Sequence, residues 1–180
     1  NANGTPAAYA AVLDQTAGIA QADFMAAAKK GVLPTPNAIT MVFKHLMTKI
    51  VVNIDNQSGA DVTAVKILGG DAACEIDLPN LAVLPASGGM STELTEITAY
   101  EATAGKVWKA IVIPQTVKLS VEVSLSNGKK ITQPLAEMTL KSGGQYSINA
   151  RLLQDDMTVS ASGEIENWTD EGEIGFEGEG

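Results

Sequence analysis

The chain holds one histidine and one cysteine, and these are the first residues to ask for chemistry. A hydrolytic triad needs a base beside a nucleophile. His45 lies in a strand-like stretch, and the sequence offers no partner to nominate for it. Its plain reading is a partly buried polar residue bonded to backbone near an irregular turn. Cys74 stands alone, which excludes an intrachain disulfide, a CxxC redox pair and a thiolate metal cage; in an apolar stretch it reads as a small core residue. Paired carboxylates do glycoside chemistry, and Asp155 with Asp156, or Glu164 with Glu166, are the pairs available. Consecutive Asp at a turn and alternating Glu on an exposed strand are ordinarily solvated surface. Residues 170–180 carry five acids whose oxygens suit Ca²⁺, yet they lack EF-hand spacing and read as a flexible acidic tail. P-loop, GxGxxG and HExxH patterns are absent. The expectation is therefore a protein that is not an enzyme, with no catalytic, cofactor or metal residue to assign. Trp108 is the residue for ligand stacking, since an exposed indole stacks on sugar rings, with a core or interface position as its competing role.

Charge narrows the partners. The net charge of −9 is concentrated after Gln154, where nine acids and no Lys or Arg occur, leaving twelve acids against twelve bases in residues 1–153. Nucleic acid needs clustered Lys and Arg, and Lys29-Lys30 and Lys129-Lys130 look like turn charges. With 180 residues, 45% of them apolar, and a mean hydropathy of +0.09, the chain has the composition of one folded domain, with room for an appendage. No run of apolar residues is long enough to span a bilayer as a helix. Opening at Asn1, the chain reads as a processed or excised form.

The elements that must position these residues are strands. Residues 1–37 stand apart, with eleven alanines by Ala28, three prolines and little β-branching. Within them Ala22–Gly31 suits a short helix, with Lys in its last turn and Gly as the stop, and suits a strand equally. From Ala38 onward, short β patterns separated by Gly, Asn, Asp and Pro predict an antiparallel sandwich of eight or nine strands. The first would put Ile39, Met41 and Phe43 on its core face. The next apolar set, Leu46, Ile50, Val52 and Ile54, has slipped by one residue, which predicts a bulge between Lys44 and Thr48 that returns the strand to the same core. Val62–Leu68, Ala72–Leu78, Ser91–Tyr100 and Val107–Ile113 follow as strands. Val117 to Leu125 alternate without an error. Across Ser126-Asn127-Gly128 a three-residue loop pairs Val123 with Ile131 and Leu119 with Leu135, which predicts a type I turn closed by Gly128 in the left-handed region. Tyr146, Ile148, Ala150 and Leu152 mark another strand, and Met157, Val159 and Ala161 the last.

Particular words then carry a resemblance. Ile39 to Ile54, read as Ile-Thr-Met-Val-Phe-Lys-His-Leu-Met-Thr-Lys-Ile-Val-Val-Asn-Ile, resembles the Phe-x-His-x-(Met/Leu)-(Ala/Ser/Thr)-Lys strand of the fimbrillin family, surface proteins of anaerobic gut and oral bacteria. Ile113-Pro114-Gln115 is similar to the family's Pro-Gln step, Gly144 to Leu152 to its Gly-x-x-Tyr strand, and Val159 through Trp168 to its closing segment. Asp23-Phe24-Met25-Ala26-Ala27 is similar to the strand that precedes the His-containing one. The likeness covers about residues 20–170 and implies an all-β, transthyretin-like β-sandwich of about seven to nine strands over residues 38–168. The Ala-rich segment 1–37 precedes it, as the remnant of an upstream β domain, and an acidic Gly/Glu-rich tail, 169–180, follows it. It also implies a cell-surface, extracellular role in a pilus or at the outer membrane: a structural and adhesive subunit joined to other fimbrillin-type subunits by strand exchange, without enzyme activity. The alternative is a monomeric surface module binding glycans or host proteins through Pro85–Gly89 and Glu101–Trp108. In the tail, Ile174 and Phe176 lie two apart and face one side of an extended strand, which suits them to contact a partner strand.

Overall fold

A computed structural model describes residues 6–32, 38–86, 95–154 and 156–167, with backbone alone over 162–167. Sixteen strands occur among them: β1 (Ala7–Ala10), β2 (Met25–Ala26), β3 (Lys44–His45), β4 (Thr48–Asn56), β5 (Val62–Leu68), β6 (Ala73–Asp77), β7 (Ala82–Pro85), β8 (Glu96–Thr98), β9 (Tyr100–Thr103), β10 (Val107–Val112), β11 (Thr116–Val117), β12 (Ser120–Leu125), β13 (Lys130–Pro134), β14 (Met138–Thr139), β15 (Gly144–Leu152) and β16 (Met157–Asn167). A five-stranded sheet in the order β16-β15-β4-β10-β9 faces a four-stranded sheet in the order β13-β12-β5-β8. The alternation read from the sequence supplies both inner faces. Ile50, Val52, Trp108, Ile148 and Leu152 come from one sheet and Val65, Ile67, Val121 and Val123 from the other, and they form one core.

The loop after β12 has the expected form. Val123 pairs with Ile131, Leu135 N donates to Leu119 O, and Gly128 N donates to Leu125 O at 2.9 Å. Gly128 takes φ +83°, the left-handed conformation that a side chain disfavours. Two expectations change. The sheets are antiparallel in the main, but β4 and β15 pair in parallel from Lys49 opposite Gln145 to Asn56 opposite Leu152. Alternation reports which face a residue takes and not which strand lies beside it. The Ile39, Met41 and Phe43 face is not core: all three are exposed, and pairing starts only at Lys44. The slip in phase is real, yet it is a break between β3 and β4 at Leu46 and Met47, which are buried in a second core. The strand thus passes from one core to another instead of returning to the same one. Of the two readings of Ala22–Gly31, the strand holds, as β2.

The second core lies under a three-stranded sheet, β1-β6-β7, and the β2-β3 pair. Leu46, Met47, Cys74, Ile76, Ile111 and Ile113 fill it, with Tyr9 and Phe24 packed against them edge to face at 5.9 Å. Gln15 is buried beside the second core. It is 1% exposed, and its side-chain amide accepts from Ile111 N and donates to Ile111 O, both at 2.8 Å. Strand β9 pairs with β10 only as far as Lys109, so this amide takes the place of a peptide group beside β10.

Burial raises the Cys74 thiol from 9.0 to about 11, with the Asp71 charge adding to it, and raises the Tyr9 hydroxyl from 10.0 to about 12, with Cys74 and Asp23 adding to it. Both groups stay neutral in the fold at a pH where the unfolded chain would ionise them. Their contribution is therefore complete below pH 9 and is lost as pH rises through about 11 and 12. Urea unfolding should show stability falling above pH 9, and Cys74→Ala should flatten the first part of that fall. Gly128→Val should cost about 1–2 kcal/mol, the strain of a β-branched residue in the left-handed region. An unchanged urea midpoint would remove this account of the turn.

Candidate functional site

His45 has a partner that the sequence did not reveal. Its Nδ1 lies 2.7 Å from Asp23 Oδ2, with the two side chains 9% and 10% exposed. The chain brings them together by pairing β2 with β3 so that Met25 stands opposite His45, while Leu46 N donates to Phe24 O. The loop before β15 closes over this crossing. Ser142 Oγ donates to Leu46 O at 2.9 Å, Gly143 N donates to Met47 O at 3.0 Å, and Thr48 Oγ1 donates to Lys141 O at 2.8 Å. Gly143 is required there: its φ is +68°, and an added Cβ would stand 3.0 Å from His45 O. A shallow cavity of about 380 Å³ beside the pair is lined by Phe43, Lys44, His45, Leu81, Ser142 and others. The Ser142 hydroxyl, the nearest nucleophile type in that lining, has its proton committed to a backbone carbonyl. The Asp23–His45 pair therefore holds a crossing of segments.

Trp108 is 4% exposed and belongs to the main core, so it offers no face for a sugar ring, which corrects its role as a ligand-stacking residue. It stands opposite Val52 on the inward side of β10, where alternation along Val107–Val112 puts it. Ile174 and Phe176 lie outside the described residues, as does Asp155. Asp156 Oδ1 accepts from Met157 N at 2.8 Å, a turn contact. Among the described residues no three His, Cys, Asp or Glu side chains gather as a metal site. No helix among them is long and apolar enough to cross a membrane.

The surface feature that sequence reasoning missed is the segment ahead of β3. Val42 is 72% and Phe43 60% exposed, and Ile39 and Met41 are exposed beside them in the chain. Residues 38–43 belong to no ladder among the described residues, and Lys29 Nζ donates to Thr40 O at 3.4 Å. The alternation there suits a core face; the signal against that is the phase slip, which leaves these residues out of register with β4.

The described residues thus form a β-sandwich buttressed by a second core, with an apolar segment exposed ahead of β3. The chain belongs to the fimbrillin-like family, whose model matches residues 1–168. Among solved structures it is similar to a candidate cell adhesion protein from Bacteroides uniformis, with a TM-score of 0.70, 20% identity, and coverage of 93% of this chain and 68% of that one. It is also similar to a candidate cell adhesion protein from Bacteroides ovatus, with a TM-score of 0.60, 24% identity, and coverage of 74% of this chain and 49% of that one. The chain thus spans about half the length of the second and about two thirds of the first. No curated protein sequence matches it.

His45→Ala should lower stability by about 1–3 kcal/mol, the cost of stranding a nearly buried polar partner. Adding Asp23→Ala should then cost much less than it does alone, because the pair is already broken. Additive losses in urea unfolding would show that the two side chains do not act together.

Proposed function

We propose that this chain is a structural and adhesive protein of the bacterial cell surface, a pilus subunit or accessory fimbrillin that joins other fimbrillin-type subunits by strand exchange. The observation that carries the reading is the exposed segment Ile39 to Phe43, which offers backbone in no strand ladder among the described residues and large apolar side chains directly before β3. Such a segment is a template for an added strand, whose backbone pairs with it while alternate side chains find apolar contact. Charge favours a particular donor. Between Asp23 and Asp55 the chain carries Lys29, Lys30, Lys44 and Lys49 and no acid, whereas residues 168–180 carry five acids and no base. Within that acidic stretch Ile174 and Phe176 are the side chains proposed to contact the partner strand. Burying them would contribute about 1.5–3 kcal/mol each before the cost of ordering the segment.

Family membership supports the pilus class and an extracellular place in a pilus or at the outer membrane. It also supports a non-enzymatic role and the transthyretin-like form of the sandwich. We take residues 1–37, which supply β1, β2 and part of the second core, as the closing piece of a larger N-terminal β unit, and residues 169–180 as the tail.

Size exclusion and electron microscopy of the full chain test this directly. Deleting residues 170–180 should weaken self-association and leave the thermal midpoint nearly unchanged. Val42→Lys with Phe43→Lys should do the same, since exposed substitutions stay within about 0.5 kcal/mol. Association equal to that of the full chain in both variants would retire the strand-exchange reading.

A further inference from the structure

The outer face of the five-stranded sheet carries a groove that strand exchange does not use. Its walls are two rows of side chains running across the strands. One row is Asn53 on β4, Asn149 on β15 and Ser160 on β16; the other is Asp55, Arg151 and Thr158 on the same three strands. Its floor is the backbone of Ile54, Ala150 and Val159, which stand in register between the rows. Lys106 and Val107 close the β10 end, and the open groove has a volume of about 640 Å³. Neighbouring strands lie about 4.8 Å apart, so a groove crossing four of them is about 14 Å long.

The walls are held in place before any ligand arrives. Asn53 Nδ2 donates to Asn149 Oδ1 at 3.0 Å. Arg151 Nη2 donates to Gln57 Oε1 at 2.9 Å and its Nε lies 3.5 Å from Asp55 Oδ2, which also accepts from Gln57 Nε2 at 3.0 Å. An amide ladder, a guanidinium and two hydroxyls thus line one channel, each with donors or acceptors to spare.

Charge selects within the polar ligands. Asp55 is matched by Arg151, while Lys106 at the groove end and Lys109, one row further along the same face, leave an excess of positive charge on a chain of net charge −9. Tyr100 stands opposite Lys109 and brings an aromatic ring to that face. A pyranose unit is about as long as one strand spacing, so successive sugars would meet successive strands, and a carboxylate would meet the lysines. We propose that this groove binds an acidic oligosaccharide of the uronic-acid type, lying across β10, β4, β15 and β16.

Calorimetric titration of the full chain tests it with two probes: hyaluronan hexasaccharide, which carries a carboxylate on alternate sugars, and neutral chitohexaose. The hyaluronan probe should bind at least tenfold more tightly than chitohexaose, and its affinity should fall as salt is raised. Lys106→Glu and Asn149→Ala should each weaken it tenfold or more without moving the thermal midpoint, and Ser160→Trp, which fills the groove from the exposed edge strand, should abolish it. Equal binding of chitohexaose overturns the choice of an acidic ligand. Absence of binding, or binding undiminished by Ser160→Trp and Lys106→Glu, overturns the site. Neither result bears on self-association, which is read separately.

Discussion

Strand β4 is hydrogen-bonded along both edges, to β10 on one side and β15 on the other, and everything else in the molecule is arranged around that fact. A strand paired on both sides cannot shift its register without breaking two ladders at once. Its inward residues Ile50, Val52 and Ile54 therefore fix how the five-stranded sheet meets the four-stranded one. The residues just ahead of it, Leu46 and Met47, are committed to the second core. One continuous stretch thus sets the relation between two packed regions.

The second core makes that arrangement workable. Ile111 and Ile113 turn away from the main core at the end of β10, and the residues that receive them come from far along the chain, from Ala22 and Ala26 to Cys74 and Ile76. Gln15 supplies the hydrogen bonds of Ile111 where a neighbouring strand would otherwise be needed. The Asp23–His45 pair does comparable work at the start of β4, where two short strands would give little pairing by themselves.

The parts of this fold that were legible in the sequence are those governed by local chemistry. Val117 to Leu125 announce an alternating strand, and Gly128 announces the turn that sets its register, because both depend on neighbours in the chain. What was hidden depends on distant partners. Nothing in Ile50-Val51-Val52 says that β15 will lie alongside in parallel, and nothing in His45 names Asp23. The Ile39 to Phe43 segment misled because an apolar alternation looks the same whether a core or solvent lies opposite. Trp108 was ambiguous for a similar reason, since an indole suits a core and a sugar alike, and only its place on the inward side of β10 decides. The groove residues were invisible as a set, because Asn53, Asn149 and Ser160 become neighbours only through pairing.

The separation of faces on β4 and β15 has an evolutionary side. Ile54 and Ala150 face the core, whereas Asn53, Asp55, Asn149 and Arg151, their immediate neighbours in the chain, face solvent. Mutations at the outward positions change the chemistry displayed on the sheet while the inward positions keep it folded. A lineage under pressure to meet new surfaces, or to escape recognition, can therefore vary every other residue of its central strands at little risk to the scaffold. The alternation that builds the sandwich also divides the chain into residues free to diverge and residues that are not.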